Sequence, residues 1–278
     1  MDDHFAAFSF VDRITAFEAG VRARGSFAVP PDIGAFPACL VAEAVGQLAA
    51  WTAMEAIDFR GRPVAALATE TLFHREVAPG SKLELAVEVA SCDDEAIAYS
   101  GEARVDGVRV IELRDCLGPM LPVADFDAPE ALRARFGLLC AEGAPQGRFH
   151  GVIAPALSML EGEPGRVSRA SLDIPTSAPF FADHFPRRPV FPATLLLDSQ
   201  IRLALDLARE AVGPAAGSLV PKRMSNVKMR SFIEPGAAVV LEAQLAAAND
   251  VRAPVRLSAA IDGRTVATAR LDLAPRDR

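Results

Sequence analysis

Two stretches of the chain, about 155 residues apart, share one pattern of apolar and polar positions. Each opens with Phe-Pro-Ala and continues as a long helix-forming run, over about 38–57 and 193–212, and the first of these runs is apolar nearly all round. The proline at the start, Pro37 or Pro192, suits the first turn of a helix, where a missing N–H needs no partner. A helix without a polar face must be enclosed. The pattern therefore predicts two central helices, each wrapped by other elements.

Alternating apolar and polar residues follow each helix and predict β-strands. The expected strands lie in the first half at 82–89, 96–105 and 108–113, and in the second half at 238–248, 255–261 and 265–273. Two Asp-Gly steps, at 106–107 and 262–263, predict tight hairpin turns. Each half thus reads as one or two strands, a long helix and then several strands.

The similarity between the halves indicates an internal duplication. VAPGSKLELAVEV at 77–89 matches IEPGAAVVLEAQL at 233–245. We predict an α+β chain with two tandem antiparallel sheets, each wrapped around a long central helix. The predicted units are residues 1–122 and 150–278, joined by a linker at 123–149 that is rich in Pro, Gly and charge and holds a short helix near 129–141.

Composition narrows the functional class. The net charge is −7 and no segment is broadly basic, which argues against a nucleic-acid binder. The acidic start lacks a signal-peptide pattern and no apolar run is long enough to span a membrane, so we expect a cytoplasmic protein. The four cysteines are far apart and are expected to be buried reduced thiols rather than a zinc site or a disulfide. No metal or other cofactor is expected.

The two halves differ at one loop. The stretch PFFADHFPRRPVFPATLLLDS, 179–199, places His184 in a proline-rich loop and an acid, Asp198, fourteen residues later. The first half has Glu43 at the position of Asp198 but no histidine. About ten residues are missing between its strands and Pro37, so the loop that would hold the histidine is deleted rather than mutated.

This stretch resembles the signature of the 3-hydroxyacyl-[acyl-carrier-protein] dehydratases, in which a His-Phe-Pro loop leads through a second proline into an acid-bearing helix. The segments FSFVDRITAFEAG (8–20), EAVGQ (43–47) and VKMRSFIEPG (227–236) also match family positions. The resemblance implies the hotdog fold, a sheet wrapped around a central helix, here as a tandem double hotdog. The chain departs from the family where Ala38 and Ala193 replace the usual Gly after the helix-opening proline.

In that family, two hotdogs pair, and each active site takes its histidine from one and its acid from the other. Carried onto this chain, the resemblance implies one composite site with His184 as base and Glu43 as acid. Gln47, one helical turn after Glu43, would orient it. The backbone N–H groups of Ala38 and Cys39, at a helix N-terminus, would bind the thioester oxygen.

The remaining candidates concern the second acid and the carrier. Asp198, a secondary candidate, is expected to be a relic or structural acid because its partner loop is deleted. A carrier protein is expected to dock on basic residues, with a solvated face as the alternative; they are Arg187, Arg188, Lys222, Arg223, Lys228 and Arg230.

The activity implied by the resemblance is dehydration of 3-hydroxyacyl thioesters, on acyl carrier protein or coenzyme A, to 2-enoyl thioesters. The alternatives are a hotdog thioesterase, an enoyl hydratase, although the typical Asp-x-Asn-x-x-His pattern is absent, and a non-catalytic acyl-binding or scaffold subunit. The internal pair of hotdogs is open to further homo-oligomerisation.

Overall fold

The computed structural model describes residues 5, 7–145, 149–213, 219–246 and 252–276. Three α-helices are present among them: Ala38–Ala56 (α1), Pro129–Cys140 (α2) and Ala193–Val212 (α3). Short 3₁₀ turns cover Val123–Asp125 and Pro179–Ala182. The predicted central helices are confirmed, α3 at its predicted bounds and α1 ending one residue early.

Thirteen strands form the rest of the regular structure in the described part of the chain. Those of the first half are Arg13–Glu18 (β1), Arg22–Ala28 (β2), Gly61–Pro63 (β3), Leu67–Phe73 (β4), Lys82–Cys92 (β5), Ala96–Val105 (β6) and Val108–Pro122 (β7). Those of the second half are Leu157–Glu163 (β8), Val167–Asp173 (β9), Leu219–Met229 (β10), Ala238–Leu245 (β11), Ala253–Ile261 (β12) and Arg264–Pro275 (β13).

The strands join into one antiparallel sheet rather than the two separate sheets that we expected. Its order is β1-β2-β5-β6-β7-β4-β10-β13-β12-β11-β9-β8, with β3 paired to β7. The junction is the β4–β10 pair, where Thr71 lies opposite Met224 and Ala68 opposite Val227. Each of these strands would otherwise present an edge of unpaired N–H and C=O groups, and their pairing satisfies both edges.

The hairpin predictions are confirmed. Asp106 and Gly107 both have positive φ, 51° and 74°, and Asp262 and Gly263 repeat this at 49° and 75°. β7 continues nine residues beyond the predicted end at 113. A bulge lets it pass the charged pair at 114–115, because Asp115 adopts φ 49° and its N–H donates to Ser100 Oγ at 3.1 Å.

Each central helix packs on the strands of its own half. α1 lies against β2, β5 and β6, α3 lies against β9 to β12, and the two helices also touch each other. Ala44 and Leu48 of α1, like Leu196 and Ala204 of α3, are completely buried. The groups that the helices carry near their contact therefore lie inside the molecule. The unit boundaries at 122 and 150 stay predictions.

The cysteines and the helices bear on two earlier expectations. All four cysteines are free thiols, with Cys39 and Cys116 buried as expected. Cys140 is instead exposed, because it ends α2 on the surface, and Cys92 is half-buried. None of the described helices is long and apolar enough to cross a membrane. The cytoplasmic location stays a prediction.

Candidate functional site

A cavity of about 230 Å³ lies where the two halves meet. The first half contributes Glu43, Gln47 and Arg62 to its wall, and the second half contributes His184 and Thr194. Most of the remaining wall is apolar. The structure therefore brings the predicted histidine and the predicted acid of the other half into the wall of one cavity.

The loop before α3 determines the tautomer and the protonation of the His184 ring. Its imidazole Nδ1 lies 2.9 Å from the carbonyl oxygen of Val190. Because a carbonyl only accepts hydrogen bonds, Nδ1 carries the proton and leaves a lone pair on Nε2. Burial lowers the pKa of His184, and the charge of Glu43 opposes this shift. The neutral ring is thus favoured near pH 7, with Nε2 able to accept a proton.

Glu43 is held by one donor from each half. Its Oε1 accepts a hydrogen bond from Gln47 Nε2 at 3.0 Å, and its Oε2 accepts one from Thr194 Oγ1 at 2.8 Å. Gln47 is itself fixed, because Nε2 also donates to the Phe8 carbonyl at 2.9 Å and Oε1 accepts from the Phe10 N–H at 2.8 Å. The carboxyl group consequently has a defined direction towards the cavity.

The segment before β1 connects Gln47 to the histidine loop. Asp183 Oδ2 accepts hydrogen bonds from the N–H groups of Ala7 at 3.1 Å and Phe8 at 2.8 Å. The Phe8 ring then meets the His184 ring edge to face, with centroids 5.5 Å apart. Side chains of both halves thus hydrogen-bond to the same short segment, residues 7–10, which couples the position of the histidine to that of the acid.

The helix N-terminus at the cavity belongs to α3. Ala193 and Thr194 border the cavity, and within the described part of the chain their backbone N–H groups have no hydrogen-bond partner. Ala38 and Cys39, which we expected here, do not border it. Burial raises the pKa of the Cys39 thiol, and the charge of Asp198 adds to the rise, so this end of α1 lies near the other acid.

Asp198 lies apart from the cavity wall. Its Oδ2 is 3.4 Å from Nε of Arg202, and Nη2 of the same arginine donates to the Pro155 carbonyl at 3.3 Å. Burial raises the pKa of Asp198 and the arginine charge partly offsets this. No histidine accompanies this acid among its described contacts.

The basic residues suggested for docking fall into two groups. Arg187 and Arg188 are exposed on the histidine loop, where Arg187 Nη1 donates to the Ala124 carbonyl at 3.0 Å and Arg188 lies 4.9 Å above the ring of Phe232, a cavity residue. Lys228 and Arg230 point away from the cavity.

The direction of that second group follows from strand geometry. Val227 and Met229 line the cavity, so the alternate residues Lys228 and Arg230 lie on the opposite face of the sheet. Arg223 pairs with Glu70 and lies near Asp272, and Lys222 is also on β10. The structure does not bring this group together with Arg187 and Arg188.

Comparisons with known proteins give the family of this chain. The family model for ApeI-like dehydratases, described as "ApeI dehydratase", matches residues 163–268, which include His184. A 3-hydroxyacyl-[acyl-carrier-protein] dehydratase FabZ of Tolumonas auensis is 33% identical over 116 residues, which cover 41% of this chain and 77% of that protein. The chain belongs to the FabZ dehydratase family.

The likeness to solved structures extends over nearly the whole length of this chain. The dehydratase domain of PpsC from Mycobacterium tuberculosis, solved in complex with C12:1-CoA, is 16% identical, covers 96% of this chain and 99% of its own, and has a TM-score of 0.56. The 12:0-ACP thioesterase from Umbellularia californica is 11% identical, covers 99% of this chain and 98% of its own, and also has a TM-score of 0.56. At these identities the likeness shows the hotdog fold alone.

Three polar residues that line this cavity, Arg62, Asp183 and Thr194, escaped sequence reasoning. Asp183 precedes His184 and Thr194 follows the helix-opening Ala193, so their position beside known motifs was a usable signal. Arg62 had no such signal, because the ring that it contacts, Phe185, lies in the other half of the chain.

Proposed function

We propose that this FabZ relative dehydrates 3-hydroxyacyl thioesters to 2-enoyl thioesters at one composite site between the two halves of a double hotdog. The observation that carries the proposal is the shared cavity, where the free Nε2 of His184 and the carboxyl group of Glu43 come from different halves. Elimination of water needs this combination of a base and an acid on either side of one carbon–carbon bond.

In the proposed reaction, Nε2 of His184 removes a proton from C2 of the acyl chain. The electron pair forms the C2–C3 double bond as the C3–O bond breaks, and the hydroxyl group leaves as water with a proton from Glu43. Thr194 can stay hydrogen-bonded to Glu43 both before and after Glu43 gives up its proton. Its hydroxyl group can donate to a carboxylate or accept from a carboxylic acid, whereas the N–H of Gln47 only donates. Each of the two proton transfers is typically worth about 10² to 10⁴ in rate.

Negative charge develops on the thioester oxygen while the C2 proton is removed. The unpaired N–H groups of Ala193 and Thr194, at the positive end of α3, are suited to stabilise that charge. This proposal replaces Ala38 and Cys39, which do not border the cavity. The Gly-to-Ala departure at Ala193 leaves the backbone N–H in place.

The rest of the cavity suits an acyl chain. Apolar side chains dominate its wall beyond the catalytic pair; they include Trp51, Ile97, Leu113, Leu117 and Leu132. We propose acyl carrier protein as the carrier, with Arg187 and Arg188 on the histidine loop as its docking residues, and coenzyme A as the alternative. Asp198 would take no part, because no histidine faces it among the described residues.

The test is incubation of the purified protein with 3-hydroxyacyl carrier proteins and the matching coenzyme A esters, scored by intact mass. Loss of one water from the acyl chain supports the proposal, and release of the free acid would indicate a thioesterase instead. Inactivity on every carrier would favour an acyl-binding or scaffold role.

Matched variants locate the site within the same assay. His184→Ala and Glu43→Gln should each lose activity by about 10²-fold or more. Asp198→Asn, the corresponding change on the other helix, should stay close to wild type. The reverse pattern, with Asp198→Asn inactive and Glu43→Gln active, would overturn the proposed pairing of the halves.

A further inference from the structure

Three side chains from both halves form a stack in the wall of the cavity. The rings of His184 and Phe185 are stacked, with centroids 4.1 Å apart and an interplanar angle of 23°. On Phe185 lies the guanidinium group of Arg62, whose Cζ is 4.1 Å from the ring centroid. Arg62 comes from β3 of the first half, so the stack joins that half to the histidine loop.

Arg62 has a different environment from Arg135, another partly buried arginine nearby. Arg135 makes a partly buried ion pair with Asp127 at 2.7 Å. Among the described residues, Arg62 makes neither an ion pair nor a hydrogen bond; its guanidinium group lies on the Phe185 ring, and the charges of Asp127, Glu43 and Asp183 act on it without direct pairing. Burial lowers the pKa of Arg62 to about 10, so it remains charged near neutral pH. A desolvated cation without a paired carboxylate is costly, which suggests that its place beside the histidine has a function.

Several charges surround this stack. Glu43 faces His184 from α1 and raises the pKa of the imidazole, whereas burial and the charge of Arg62 lower it. Asp183 lies on the same loop, with Oδ2 bound to two backbone N–H groups. Arg135 and Asp127 offset each other. Arg62 is thus the cation that counters Glu43 at the imidazole.

We propose that Arg62 is a positioning residue that clamps Phe185 and fixes the plane of the His184 ring, with its positive charge held in the same stack as the imidazole. A planar guanidinium group suits this role because it can lie flat on an aromatic ring, which an ammonium group does not do equally well. The inference rests on the proposed function for the role of His184 in catalysis, but the clamp and the charge effect are measurable without substrate.

The first experiment is an NMR titration of the histidine side chains. The chain has four histidines, and the His184 signal is identified by its loss in His184→Gln. In Arg62→Met, the pKa of His184 should rise because the opposing cation is gone. In Arg62→Lys, which keeps the charge, it should stay near the wild-type value.

The control is Arg60→Met, two residues away. Arg60 is exposed and pairs with Asp94 at 2.7 Å, so its loss should leave the titration unchanged. An unchanged His184 titration in folded Arg62→Met would overturn the charge role. If Arg62→Met does not fold, Arg62→Gln provides the same comparison with a polar, uncharged side chain.

The second experiment measures dehydration against pH. Arg62→Met should lower kcat by up to about 10²-fold, the cost that a catalytic group misplaced by about 1 Å can have, and should move the acidic limb of the kcat/KM profile to higher pH. Arg62→Lys should keep the position of that limb but not the full kcat. A wild-type profile in Arg62→Met would overturn the positioning role. Inactive wild-type protein would instead refute the proposed function, and the titration would still decide the charge effect.

Discussion

The two central helices carry corresponding polar pairs that have different partners. Glu43 and Gln47 of α1 correspond to Asp198 and Arg202 of α3, each 155 residues later. Gln47 both donates to and accepts from the backbone of the segment before β1. Arg202 only donates, to the carbonyl of Pro155. The duplicated positions have therefore diverged in hydrogen-bonding chemistry as well as in sequence.

The backbone partner explains this divergence. Counting back from the ends of β1 and β8, at Glu18 and Glu163, Pro155 stands where Phe10 stands in the first half, 145 residues earlier. Proline has no N–H, so an amide oxygen like that of Gln47 would find no donor there. A guanidinium group has donors alone and fits the remaining carbonyl. One change in the backbone thus decides which side chain can support the acid.

The loops that lead into α1 and α3 also differ between the two halves. Nine residues, 29–37, connect β2 to α1, whereas nineteen, 174–192, connect β9 to α3. At the shorter loop, Phe149 of the linker packs edge to face against Phe10 and Phe36, with centroids 5.1 Å and 6.2 Å away. The side with the longer loop keeps a cavity, and the side with the shorter loop is filled by the linker.

The largest expected effect on stability tests whether Phe149 fills the space beside the shorter loop. Phe149 is 4% exposed, so Phe149→Ala should lower the free energy of unfolding by about 3 to 5 kcal/mol, the usual cost of removing a buried aromatic ring. Denaturant titration measures it. Ile153→Ala is the control, because Ile153 is 93% exposed and its loss should cost less than about 0.5 kcal/mol. Equal small effects would mean that Phe149 does not fill a core site.

The next prediction compares the two supports of the acids. Gln47→Leu should lower the free energy of unfolding by about 2 to 4 kcal/mol, because it leaves the carbonyl of Phe8 and the N–H of Phe10 without their partner. Arg202→Leu should cost less than about 1 kcal/mol, because this arginine is half-exposed. Urea unfolding of both variants measures the two losses of unfolding free energy. A larger loss in Arg202→Leu than in Gln47→Leu would reverse the comparison.

A smaller effect appears in the pH dependence of stability. The pKa of His184 is lower in the folded state than the unfolded value of about 6.5, so the unfolded chain binds more protons between these two values. The free energy of unfolding should therefore fall as the pH falls below about 6.5, by at most about 1.4 kcal/mol per pH unit from this group. Between pH 7 and pH 5, the free energy of unfolding, measured by denaturant titration at each pH, should change less in His184→Gln than in wild type. An equally steep dependence in the variant would assign it to other groups.

The smallest effect concerns the second acid. The folded state raises the pKa of Asp198, so its charged form is disfavoured there and reduces stability above the folded pKa. Asp198→Asn should therefore raise the free energy of unfolding at pH 7 by a few tenths to about 1 kcal/mol. The gain should shrink towards pH 4, where the aspartate itself becomes protonated. A loss of stability at pH 7 would show that the contact with Arg202 outweighs burial.

Local sequence rules predicted the elements well. The prolines before α1 and α3, the apolar runs behind them and the two Asp-Gly steps each act within a few residues, so the helices and hairpins could be assigned without the fold. The end of β7 was missed because a bulge, which depends on a side chain of the neighbouring strand, carries it past Arg114. Strand ends set by partners are not local properties.

The sequence by itself determined the duplication, the two central helices and the deleted loop, and it predicted His184 and Glu43. Only the tertiary structure decided that the strands merge at β4–β10, that the N-terminus of α3 rather than α1 borders the cavity, and that Thr194 and Arg62 lie in the cavity wall. The reason is distance along the chain: Thr194 bonds an acid 151 residues away. Such contacts depend on how the halves dock, which no pattern within either half specifies.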